Sequence, residues 1–366
     1  MHNGMKSLTI AVCCSILFSF AARGKTVYVD PANYGKSGLD GSIDRPFGTI
    51  QDAIDAESTE VDSVIELAPG IYTNGMHRGT GLTSSYARVV INKRLTITGR
   101  PGHREDTIIL GDRGSSENGL GDDAVRCVYN ANGADSVIRG ITLTGGYTGS
   151  SGAPNGQGGA VCSQKNTFVI DCIVTNNFAY RSGAFMNGNV MRCYVADNDV
   201  SNMGSVGQGV ELSFCVLKDN SKTSAKALTI YSGKIVNCTF VDNDVATDCI
   251  GLASSAGATI ANCVFFNNDA RAWGTNPERF FNCASDIEIT DGNNCVVIDE
   301  SAFVNYEKGN YRPAAGLSNG GSTWEEYLGY GATSDKDLAG EPRLLGKAVD
   351  IGCYEFTVGG TIFMLK

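Results

Sequence analysis

Five segments of the chain share one register around a cysteine: FVIDCIVTNN from Phe168, NVMRCYVADN from Asn189, ELSFCVLKDN from Glu211, KIVNCTFVDN from Lys234 and TIANCVFFNN from Thr259. Aligned on Cys172, Cys193, Cys215, Cys238 and Cys263, each carries an asparagine five residues on, at Asn177, Asn198, Asn220, Asn243 and Asn268. An aliphatic residue stands three places before the cysteine (Val169, Val190, Leu212, Ile235, Ile260). An apolar one stands two places after it (Val174, Val195, Leu217, Phe240, Phe265). The cysteines are 21, 22, 23 and 25 residues apart. Such short units have no room for a strand–helix–strand crossover, which takes about 30 residues. They suit coils of short strands and turns, stacked at roughly 4.8 Å per coil into a solenoid.

Stacking in register has consequences for each column of side chains. Strand alternation puts the cysteine and the residue two places later on one face, and that face is the interior. Superimposed cysteines keep their Cβ atoms about 4.8 Å apart, outside the roughly 3.5–4.5 Å of a disulfide. They are therefore predicted to be buried free thiols acting as small hydrophobes. The asparagines are predicted to form an amide ladder, each side chain donating to the next; the alternative role is ligand contact. One place earlier stand Asn176, Asp197, Asp219, Asp242 and Asn267, on the opposite, outward side. Stacked carboxylates at Asp197, Asp219 and Asp242 would repel one another unless a cation lay among them. Ca²⁺ suits such oxygen ligands, although aspartate is also a good turn former in its own right.

The two ends read differently from the middle. Residues 1–22 have the form of a signal peptide, with Lys6 as its positive start and Leu8 to Phe20 as its apolar core. That core is too short for a membrane span, and no other long apolar run follows it. Ile50, Ala53 and Ile54 recur at helical spacing behind Thr49, a fair N-cap. The helix they predict would close the open end of the stack. Repeats persist to about residue 301. Residues 302–366 lose the pattern and are read as a C-terminal segment capping the last coil. A net charge of −10 offers no basic patch for nucleic acid; it is compatible with cation binding.

The Gly/Asp loop with RPFGTIQDAIDA near the start, followed by APGIYT, resembles secreted right-handed parallel β-helix proteins of the pectin-lyase-like superfamily. The tail DLAGEPRLLGKAVDIGCYEF resembles the choice-of-anchor domain of bacterial surface β-helix proteins. These resemblances imply an all-β solenoid, 23–301, with a helical N-terminal cap and an anchor-type segment, 302–366, in a secreted or outer-membrane-associated protein. They leave activity open, because the superfamily mixes lyases, hydrolases, esterases and non-catalytic adhesins.

Catalytic candidates are few. Asp122-Asp123 is the one adjacent pair of aspartates, where a glycosidase needs grouped carboxylates. The Gly-His-Gly and Arg-x-Lys companions that the resemblance would imply are missing, and a solvated turn explains the pair equally. Arg126 and Arg139 are candidate bases for abstracting a proton beside a uronate carboxylate, projecting onto one face from neighbouring coils. Neither lies in the Arg-x-Pro-x-x-Arg pattern of pectate lyases, and solvated outward positions are the simpler reading. Among aromatic residues able to stack on a sugar (Tyr147, Tyr180, Tyr194, Tyr231, Trp273), Tyr194 occupies an outward strand position. The sequence thus favours a monomeric secreted or cell-surface protein, structural, adhesive or carbohydrate-binding, with a polysaccharide or surface glycan as partner. The alternative is a lyase or glycoside hydrolase acting on an acidic polysaccharide.

Overall fold

The computed structural model describes residues 24–356 except 132–134, 151, 164–166, 222–226, 231–232, 252–257, 270–275, 315–316 and 331–333. The expected leader, together with Tyr231 and Trp273, lies outside the described residues. One coil explains the rest. Thr167–Ile170 is a strand, Asp171 turns with φ 56°, Cys172 points inward, Ile173–Thr175 is a second strand, and Asn176 turns again with φ 54°. The same two corners recur at Arg192 and Asp197, Phe214 and Asp219, Asn237 and Asp242, and Asn262 and Asn267, with φ between 49° and 56°. Left-handed backbone costs an ordinary L-residue about 1–2 kcal/mol, and Asn and Asp tolerate it best. The corner requirement, more than any ligand, accounts for Asn and Asp at these positions.

Successive coils pair in parallel and in register. Val169, Val190, Leu212, Ile235, Ile260 and Phe280 stand above one another on one sheet. Val174, Val195, Leu217, Phe240 and Phe265 do so on the next. These parallel sheets, of fifteen and ten strands among the described residues, make the molecule a right-handed parallel β-helix. Its core is the inward face of all coils, including the five cysteines. Phe240 and Phe265 stack there with ring centroids 4.7 Å apart.

Both predicted ladders are present. The described cysteines are all free thiols, and burial pushes Cys172 and Cys193 well above the ordinary thiol range. The column is longer than five, because Phe280–Phe281 and Ala284–Ser285 continue the coils and carry Cys283 into it, followed by Cys295. Steps of 20 and 12 residues, with Ser285 in the apolar position, hid these two in the sequence. Along the asparagine column, side-chain amides donate from Asn177 to Asn198 (2.9 Å), Asn198 to Asn220 (3.1 Å), Asn220 to Asn243 (3.1 Å) and Asn243 to Asn268 (2.8 Å).

At the N-terminal end, a first helix (α1, Ile50–Asp55) is capped by Thr49, whose hydroxyl accepts the Asp52 N–H. It buries Ile50, Ala53 and Ile54 against the first coils. Gln51 completes the cover. Its side-chain oxygen accepts the Val90 N–H (2.8 Å) and its amide donates to the Val90 carbonyl (3.2 Å), so it pairs with an edge strand as a neighbouring strand would.

Among the described residues the C-terminal segment lies along the flank of the coils, reaching Ala284 and Asn282 of the last ones. Val216, Val241, Val264 and Ala284 face outward from the coils, and Phe303, Tyr311, Leu317, Ile351 and Cys353 bury them. Around the corner, Phe214, Val236 and Ala261 are covered by Val349 and by Tyr327 of a second helix (α2, Trp324–Gly329). Outward apolar residues would otherwise expose a stripe to water, which is why the segment settles on the side. The corner asparagines fasten it: Asn237 donates to the Asp350 and Gly352 carbonyls, and the Asn262 side chain accepts the Ser322 N–H. Gly352, at φ 99°, comes so close that an added Cβ would lie 2.9 Å from the Thr239 hydroxyl.

Candidate functional site

Asp122 and Asp123 sit at an exposed turn beside Ser115, Ser116 and Asn118. Asp123 accepts the Ser115 N–H (2.9 Å), and this bond to Ser115 holds its carboxyl below the usual range. It is a turn clamp.

The two arginine candidates do not converge as expected. They belong to successive strands of one coil, Val125–Asn130 and Ser136–Arg139. Nor is Arg126 a solvated outward residue: it is fully buried and donates to the carbonyls of Pro154, Asn155 and Gln157 and to the Ser85 hydroxyl. It pins the Gly-rich excursion before residue 158 onto the coils, and burial pushes its pKa down. Arg139 is exposed and pairs with Asp171 (3.2 Å), which also takes Arg192 (2.7 Å). Both arginines are occupied by structural partners.

The acidic column stands at the αL corners. Lys218 lies among its members, contacting Asp219 directly and Asp242 at 3.6 Å. Asp242 also accepts from the Tyr306 hydroxyl and from Asn267 (2.8 Å). The protein's own ammonium therefore supplies positive charge between Asp219 and Asp242. Among the described residues no group of three His, Cys, Asp or Glu side chains is placed to hold a metal ion.

Tyr194 is the candidate that the structure surrounds with further chemistry. It stands between Ile173 and Val216 on the outward face of the ten-stranded sheet, at the place where the C-terminal cover begins. A cleft of about 420 Å³ opens there. Its floor is Ile173 and Tyr194, one wall is Arg104 from the preceding loop, and the other is Tyr311, Arg312, Leu338 and Tyr354 from the C-terminal segment. The volume falls in the range of ordinary ligand pockets, roughly 300–1,000 Å³. Thr142 steadies the first wall by donating its hydroxyl to the Arg104 carbonyl (2.7 Å). The Arg312 guanidinium lies over the Tyr354 ring, 5.4 Å from its centroid. Burial raises the pKa of Tyr194, Tyr311 and Tyr354, so all three present neutral rings near neutral pH. Flat rings beside guanidinium donors are suited to a ligand with an apolar face and a polar edge.

Tyr311, Arg312 and Tyr354 are not legible as site residues in the sequence, because nothing in it says which face of the coils the tail covers; Arg104 lies in a loop outside the repeat, RPGHR, whose spacing fits no lyase motif. One signal was available: Val216, Val241 and Phe266 are apolar at outward register positions, and an outward apolar stripe requires a cover.

No family model matches the chain, and no curated protein matches it. Among solved structures it is similar to a rhamnogalacturonan lyase, at 14% identity and a TM-score of 0.40, covering 72% of this chain and 68% of that one. It is also similar to a pectin methylesterase from carrot, at 13% identity and a TM-score of 0.31, covering 76% and 90% respectively.

Proposed function

We propose that this protein is an exported, surface-associated β-helix that binds carbohydrate through the Tyr194 cleft. The carrying observation is the cleft itself: three neutral tyrosines and two arginines converge where the coils meet the C-terminal segment. Sugar recognition combines an aromatic face for the C–H side of the ring with donors for its oxygens. Export is supported by the leader-like residues 1–22, and surface residence by the resemblance of the tail to choice-of-anchor domains.

Affinity electrophoresis through gels containing neutral or acidic polysaccharides tests this reading. At least one polysaccharide should retard the protein, and Tyr194→Ala should remove most of the retardation. Unretarded migration in every gel would overturn it. The lyase alternative would instead reveal itself as unsaturated uronate absorbance accumulating in the same mixtures.

A further inference from the structure

We propose that the Tyr194 cleft selects a sugar ring bearing an anionic substituent, a carboxylate or a sulfate ester, through the guanidinium groups of Arg104 and Arg312. The inference rests on the carbohydrate-binding reading and adds its charge selectivity.

The side chains that line the cleft carry charge of one sign, with Asp219 and Asp242 lying behind Tyr194 and Tyr311 beside Lys218. The lining contains two arginines and no aspartate or glutamate, in a chain whose net charge is −10. Arg104 spends its Nε on Glu105 (2.9 Å), outside the lining. Arg312 has no ion pair among the described residues; its guanidinium is held by the Tyr354 ring. A guanidinium oriented by a ring, with no carboxylate beside it, keeps its fork of donors for an incoming anion. Recess in the cleft weakens solvent screening and strengthens that attraction. The tyrosines cannot compete for the arginines as anions, because burial keeps them protonated. A neutral sugar would use the rings and leave the Arg312 charge with no anionic partner, and Arg104 with only Glu105.

Calorimetric titration of the full chain tests this with two pairs of probes: tetragalacturonate against its full methyl ester, and a 6-sulfated galactan tetrasaccharide against unsulfated galactotetraose. At least one charged probe should bind on the order of tenfold more tightly than its uncharged counterpart, since a charge-assisted hydrogen bond contributes about that factor. Which charged probe binds separates carboxylate from sulfate. Affinity should fall as salt rises. Arg312→Gln and Arg104→Gln should each lose about tenfold on the charged probe while the melting temperature stays unchanged. Equal binding of charged and uncharged members, or full affinity in both arginine variants, overturns the selectivity and leaves carbohydrate binding standing. Absence of binding by all four probes overturns both.

Discussion

Asn220 shows how much one side chain carries at a coil corner. It accepts the backbone and side-chain N–H groups of Asn198 (both 3.1 Å) and donates to the Asn243 side chain (3.1 Å) and the Val195 carbonyl (2.9 Å). Asn220→Ala leaves those buried groups without partners, at about 1–3 kcal/mol each. Urea unfolding should show a loss of about 3 kcal/mol or more; less than about 1 kcal/mol would mean that water replaces the ladder. One residue earlier, Asp219 answers a backbone demand, with φ at 50°. Asp219→Ala should cost about 1 kcal/mol, whereas Asp219→Gly should cost less, because glycine is at ease there. Calcium should leave the wild-type melting temperature unmoved, since Lys218 already sits between Asp219 and Asp242. A calcium-dependent rise lost in both variants would restore the cation site. The asparagine ladder was legible because it repeats. The corner's positive φ was not, because Asn and Asp serve turns, ligands and metals alike.

The tail element from Asp337 to Glu355 owes its composition to a buried polar network. Arg343 pairs with Glu355 at 2.7 Å and donates to the Asp350 carbonyl, and its guanidinium lies 5.4 Å from the Phe214 ring centre. Asp337 accepts the backbone N–H groups of Ala339, Glu341 and Glu355. Asp337, Arg343, Asp350 and Glu355 are all buried. The Glu355 carboxyl pairs with the Arg343 cation, while the Asp350 carboxyl, like that of Asp337, accepts backbone N–H groups, from Asn319 and Phe356. Burial raises Glu355 from 4.5 to about 8, with Arg343 opposing. The native state therefore holds a proton that the unfolded chain releases. That contribution is complete below about pH 4.5 and is lost as pH rises towards 8. Unfolding free energy should decline across this window by at most about 1.4 kcal/mol per pH unit, and Glu355→Gln should flatten the slope. A slope unchanged in that variant would assign the titration elsewhere. The motif was visible in the sequence, but its partners across the chain, Phe214 among them, were not.

On the scale of the whole molecule, the coils and the C-terminal segment form one structure. A chain ending at residue 301 should expose Val216, Val241, Val264 and Phe214, bind a hydrophobic dye and associate. A monomeric, dye-silent truncation would show that the segment is dispensable to the solenoid. The repeat by itself determined the fold, the inward thiols and the amide ladder, because a fixed period forces equivalent residues into the same environment coil after coil. It determined no site, because nothing in a period says what will lie beside its outward face. Only the tertiary structure decided that Arg126 would be a buried pin and that the tail would run along the flank. It also brought Tyr194, at one outward register position, opposite Tyr311, Arg312 and Tyr354 from more than a hundred residues away. A side chain's solvation depends on what packs over it, and for an aperiodic segment that is settled by the area buried on docking.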